Sequence, residues 1–169
     1  MSQPDQASRL VIDGFEFARD CQERAGTISV ANLSRLTEAL FCAEGHVRFV
    51  VQGDMAKEDE RLLHLEIDGS LELTCQRCLG SLEHPLRLRR RLSLVPPGVA
   101  WPEEALEDES FDAIQCAHEL DVWSLVEEEI LLSLPQAPRH ERCALPGSSG
   151  DPGKTMPFMA LAGLRASQK

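Results

Sequence analysis

A chain of 169 residues with 43% apolar side chains can build one respectable core but hardly two, and it is too apolar to stay disordered. No apolar run approaches the roughly 18 residues a membrane span needs, which excludes a bilayer-spanning role. The opening MSQPDQASRL lacks the basic and apolar regions of a secretory signal, so the cytoplasm is the expected compartment. Six cysteines in that setting read as thiols or metal ligands, not as a disulfide framework.

The net charge is −11, and it is unevenly spread. Between Trp101 and Leu134 lie eleven acidic side chains and no Lys or Arg, while the rest of the chain balances. Such a belt is either a solvated loop and helix face or a landing site for a basic partner.

In chain order, Leu10 to Ile12 reads as a short strand. Asp13 with Glu16 three positions on resembles a capping box, and Phe17 and Cys21 then fall on one helical face, with Gly26 as the expected stop. Ser29 is the next N-cap candidate, ahead of a Leu33, Leu36, Leu40 stripe. From Gly45 the period becomes two: HVRFVVQG, RLLHLEIDG, LELTC and PLRLRRRLSLV read as four strands of an antiparallel meander. Asp68-Gly69 is the expected turn between the second and third. In the last strand Arg87, Arg89 and Arg91 share one face opposite Leu86, Leu88, Leu92 and Leu94.

Pro96-Pro97-Gly98 ends the expected sheet, and the acidic stretch follows as loop. Asp121 caps a helix over DVWSLVEEEILLSL, whose stripe is Trp123, Val126, Ile130 and Leu134, with Glu127, Glu128 and Glu129 mostly outward. Pro135 stops it. LPGSSGDPGKT is a flexible linker, and MPFMALAGLR a short helix with Phe158, Leu161 and Leu164 at three-residue spacing. The expected fold is therefore α+β: an antiparallel sheet of about four to six strands with flanking helices and a flexible C-terminal tail. Residues 1–145 form the domain, and 146–169 the linker and tail. That tail either packs back on the sheet or docks on a partner.

Cys75-Gln76-Arg77-Cys78 lies between two strand patterns. A redox couple would need a following helix to stabilise the thiolate, and Leu79-Gly80-Ser81 leads into a strand instead. A tight turn between strands is the usual seat of a zinc knuckle, and His140 and Cys143 form the other pair at ligand spacing. Cys75, Cys78, His140 and Cys143 would make a closed Cys₃His zinc site; His84 is another candidate ligand, and an accidental pair is the remaining reading.

Taken together, CQRCLGSLEHPL, DVWSLVEEEILLSLPQAPRH and MPFMALAGLR resemble the large ribosomal RNA subunit accumulation protein family (YceD). The resemblance covers about residues 10 to 169. It implies a bacterial cytosolic factor for synthesis, processing or stability of 23S ribosomal RNA, acting on that RNA or a pre-50S particle. The family's genes often adjoin that of a small basic large-subunit ribosomal protein. Many relatives carry a full second cysteine pair where this chain has only His140 and Cys143.

Nothing in the sequence looks catalytic: there is no phosphate-cradling loop, no H-E-x-x-H and no nucleophile with an evident base. Two binding readings stand. In one, Arg77, Arg87, Arg89, Arg90 and Arg91 contact RNA phosphates. In the other, a zinc-stabilised module binds a basic ribosomal protein through Glu127, Glu128, Glu129 and the tail residues Phe158, Leu161 and Leu164, without touching RNA.

Overall fold

The computed structural model describes residues 9–56, 60–101, 112–116 and 118–144. The core of the architecture is a six-stranded sheet, mostly antiparallel. Its strands are β2 (Glu23–Ser29), β3 (Leu40–Cys42), β4 (His46–Met55), β5 (Arg61–Thr74), β6 (Ser81–Val95) and β7 (Asp112–Gln115). The order is β2-β4-β5-β6-β7, with β3 on the β5 edge beyond β4. A second, two-stranded sheet pairs β1 (Val11–Ile12) with β8 (Leu120–Asp121). The fold is α+β, as the hydrophobic periods imply.

Three strands, not four, make the long meander. Asp68 and Gly69 lie inside β5, because β6 pairs through them without a break, Asp68 to Arg87 and Gly69 to Leu86. What changes there is the other neighbour: β4 runs out opposite Asp68, and β3 takes up the same edge at Glu72 and Leu73. Leu63, Leu65, Ile67, Leu71 and Leu73 are all buried, so one uninterrupted alternation carries the inner face. The sheet also continues beyond Pro96-Pro97-Gly98, since β7 joins β6 in parallel, Leu92 opposite Asp112.

The N-terminal helix is shorter than its pattern suggests. Asp13 caps α1 (Gly14–Arg19) by accepting from Glu16 N at 2.9 Å. The helix ends well before Gly26, and Cys21 turns the chain with φ 46°. Gly26 sits in β2, opposite Phe49, where a Cβ would stand 2.8 Å from the ring. Only Ile28 of β2 is fully buried, so the strand has little apolar alternation to betray it. After a 3₁₀ turn at Val30–Asn32 comes α2 (Ser34–Thr37), and Leu40 already belongs to β3.

The long helix, α3 (Val122–Ser133), is capped by Asp121, which accepts from the backbone of Trp123 and Ser124. Val122, Leu125, Val126 and Ile130 bury against the sheet with Phe17, Leu33, Leu36 and Leu92. The helix does not hold its three glutamates in solvent. Glu127 and Glu129 are only 7% and 4% exposed, and only Glu128 faces outward.

Glu127 has a local task. Leu33 occupies the N-cap position of α2 and has no side-chain oxygen to offer. Glu127 Oε1 takes that place from α3, accepting from Arg35 N at 2.7 Å and Leu36 N at 3.1 Å. Replacing Glu127 by Ala would strand both donors. The expected loss is about 1–2 kcal/mol in urea unfolding, with Glu127→Gln recovering part of it.

Glu129 meets Arg90 Nε at 3.0 Å. Burial pushes its carboxyl above the ordinary range; Arg90 opposes the shift, and Asp112 and Glu128 add to it. A carboxyl raised in the folded state stabilises the fold most below its unfolded value near 4.5. That contribution is lost as pH climbs through the folded value. The stability of Glu129→Gln relative to the parent should therefore improve as pH rises from about 4 to 7 in paired denaturant titrations.

Candidate metal centre

The hairpin joining β5 to β6 is a tight knuckle. Cys75 N donates to Gly80 O and Leu79 N to Cys75 O, each at 2.9 Å, and Leu79 takes the left-handed conformation with φ 61°. This fold of the backbone brings Cys75 and Cys78 around one point, with Cys75 fully buried. The chain returns after Pro135, and Gln76 N donates to Pro138 O at 2.8 Å, which fixes the segment carrying His140 and Cys143 against the knuckle.

The donor atoms of Cys75, Cys78, His140 and Cys143 all lie within 4.8 Å of one another and can hold a metal ion. Cys75 Sγ is 3.8 Å from Cys143 Sγ, and Cys78 Sγ is 3.3 Å from His140 Nδ1. His140 Nε2 is 2.9 Å from Ser81 O. A carbonyl only accepts, so Nε2 carries the proton there and Nδ1 presents its lone pair to the cysteines. An orienting bond of this kind is typical behind a ligating histidine. His84 lies on β6 opposite Leu71 and is not in the cluster.

The electrostatics favour thiolates at two positions. Burial acts to raise the Cys75 thiol, but N–H groups at Cys78, His140 and Arg77 outweigh it and bring it to about 5. Burial likewise works upward at Cys143, and Arg77 and His140 overcome it. At Cys78 the Gly80 N–H pulls downward, yet burial and the neighbouring sulfurs prevail and the thiol goes up. The His140 imidazole is raised by Cys143 and Cys75. Three soft sulfurs and an imidazole with an available nitrogen form a coherent donor set for a thiophilic divalent ion.

The basic strand's four arginines and Arg77 in the adjoining turn, read together as an RNA-contacting set, face different ways in the fold. Arg77 faces the cluster, where its Nε donates to Cys143 Sγ at 3.0 Å. Arg90 shares the inner parity of β6 and meets Glu129. Arg87, Arg89 and Arg91 remain on the outer face, with Arg89 held between Glu66 and Asp68 at 3.4 and 3.1 Å. Among the acids, Glu128 pairs with Arg35 at 3.3 Å, whereas Glu127 and Glu129 are internal. Phe158, Leu161 and Leu164 lie outside the described residues, as does the whole acidic stretch from Glu103 to Glu109.

Sequence spacing identified the four donors. It did not identify Arg77 as their neighbour, and only the two-residue gap between the cysteines hinted at it.

A closed Cys₃His cluster, set where a β-hairpin meets the segment after a capping helix, defines a class: an α+β module whose far-separated segments share one metal-type site. The chain belongs to the family described as Large ribosomal RNA subunit accumulation protein YceD, whose profile matches residues 63–163. The matched span includes both halves of the donor set. No curated protein and no solved structure matches the chain.

Proposed function

We propose that this protein is a non-enzymatic factor of large-subunit ribosome biogenesis. It supports synthesis, processing or stability of 23S ribosomal RNA in the bacterial cytoplasm, and zinc at Cys75, Cys78, His140 and Cys143 stabilises it. Family membership carries the functional part, since the family's description is accumulation of large-subunit RNA. The geometry supports the metal part. Tetrahedral zinc with Zn–S bonds of about 2.3 Å sets sulfurs about 3.8 Å apart, and Cys75 and Cys143 have that separation. All four positions are filled by side chains, which leaves none for a reacting water and suits a structural ion, not a catalytic one.

The test is to deplete the protein, pulse-label RNA and follow the protein through sucrose gradients. The expected result is a reduced 23S to 16S ratio with the protein in pre-50S fractions. An unchanged ratio, with the protein only at the top of the gradient, would refute the proposal.

A groove beside α3 favours contact through a basic protein over contact through RNA. Trp101, Ile114, Leu120, Leu125 and Leu132 give it an apolar floor, and Asp112, Asp121, Glu128 and Glu129 are among its other lining residues, the last three paired with Arg9, Arg35 and Arg90. No Lys or Arg lines it among the described residues, and Leu132 is 72% exposed. Acidic walls around an apolar floor fit a Lys/Arg-rich segment bearing one large apolar anchor. The outer arginines of β6 likewise alternate with the carboxylates of β5 across the strand pair, Arg89 opposite Glu66 and Arg87 opposite Asp68, with no apolar floor among them. That interleaving weakens their pull on phosphate. Leu132→Asp should abolish capture of pre-50S particles through this groove and leave the melting temperature close to that of the parent. Undiminished capture would return the contact to the outer sheet face.

A further inference from the structure

Arg77 stands between the two hairpin cysteines, but its side chain reaches across to the other half of the centre. Nε donates to Cys143 Sγ at 3.0 Å. Nη2 donates to His140 O at 2.8 Å and to Glu141 O at 3.3 Å. One guanidinium therefore grips a ligand sulfur and two main-chain carbonyls of a segment more than sixty positions away in the sequence.

We infer that Arg77 is a positioning residue of the metal centre, holding the His140–Cys143 half in place and offsetting the charge of its thiolates. The inference rests on the metal reading above. Three thiolates around a divalent ion leave one net negative charge, and the guanidinium next to Cys143 cancels it. The geometry suits arginine and not lysine. A planar fork can send Nε to a sulfur and Nη2 to carbonyls at once, whereas an ammonium is a single point on a flexible stem. The second half needs such a clamp because residues 135–144 are irregular chain, with no strand or helix among them to set His140 and Cys143. The knuckle also holds it through Gln76 N to Pro138 O and through Ser81 O, which accepts from His140 Nε2. A donor on a thiolate also draws electron density from the sulfur, so it should be visible in the spectrum of a bound metal.

The experiment uses the full chain, unaltered and as Arg77→Ala and Arg77→Lys, with zinc affinity measured by chelator competition and the site then loaded with cobalt(II). Arg77→Ala is expected to bind zinc 10- to 100-fold more weakly. Its sulfur-to-cobalt charge-transfer band should move to longer wavelength, because an unbonded thiolate gives up its electrons more easily. Arg77→Lys should recover part of the affinity through its charge, yet keep a displaced band. If Arg77→Ala does not fold, Arg77→Lys decides the matter: weakened affinity with a shifted band supports the inference. Parental affinity and an unshifted band in the variants that fold would overturn it. Failure of the unaltered chain to bind either ion would instead bring down the metal reading itself, a result distinguishable from the first.

Discussion

Gly53→Val is expected to cost about 3 kcal/mol or more, a large fraction of the roughly 5–15 kcal/mol by which a domain of this kind is stable. Gly53 is in β4, directly beneath α1. A Cβ at this position would collide with the Phe17 carbonyl, and would lie 2.7 Å from Ala18 Cα and 2.8 Å from Phe17 C. All three are main-chain atoms, so no rotamer change relieves the clash. Gly53 N also donates to Gln22 O at 2.8 Å, tying the turn after α1 to the same spot. Even Gly53→Ala should force α1 away from the sheet and loosen Phe17 and Ala18, both buried in the core. Urea unfolding followed by tryptophan fluorescence measures the effect, and a loss below about 1 kcal/mol would mean that α1 is not seated as described.

Cys75→Ser is expected to have an effect of similar size by another route. Cys75 is fully buried at the end of β5 and contributes one of the four donors. In a site assembled from the hairpin and a segment beyond α3, binding free energy becomes folding free energy, because the unfolded chain does not preform the site. With free metal at about 100 times its dissociation constant, the lost linkage alone amounts to about 2.7 kcal/mol. Thermal melts of the parent should fall on adding a strong chelator, and those of Cys75→Ser should already be low and insensitive to it. A parent melt that ignores the chelator would contradict a stabilising metal.

Much of this architecture could be read from periodicity, and its failures have definite causes. Val47, Phe49 and Val51 announced β4, and Asp121 with the Val126 and Ile130 stripe announced α3. The Asp68-Gly69 pair was a misleading turn signal: Ile67 and Leu71 keep the same parity across it, and that continuity was the stronger cue. β2 was missed because Glu23 to Gly26 expose polar or small residues and a single Ile28 goes inside. The orientation of Glu127 and Glu129 was not legible at all. Glu127 turns inward for N–H groups 91 and 92 positions away, and Glu129 for an arginine 39 positions away. Local spacing holds no trace of such partners.

The same contrast applies to the metal centre. Its candidate ligands come as two short motifs whose spacing is a local property, so they could be named in advance. Their convergence, the proton on His140 Nε2 and the reach of Arg77 depend on how β5, β6 and the chain after α3 meet. The outer arginines show the reverse case. Their charge was plain in the sequence, but Glu66 and Asp68 stand opposite them only once β5 and β6 are in register.

The most direct test of a zinc-stabilised module is the metal content of untagged, reduced protein purified without added metal, measured by elemental analysis against protein concentration. The proposed Cys₃His site predicts close to one zinc per chain. Folded protein containing essentially no metal would contradict it.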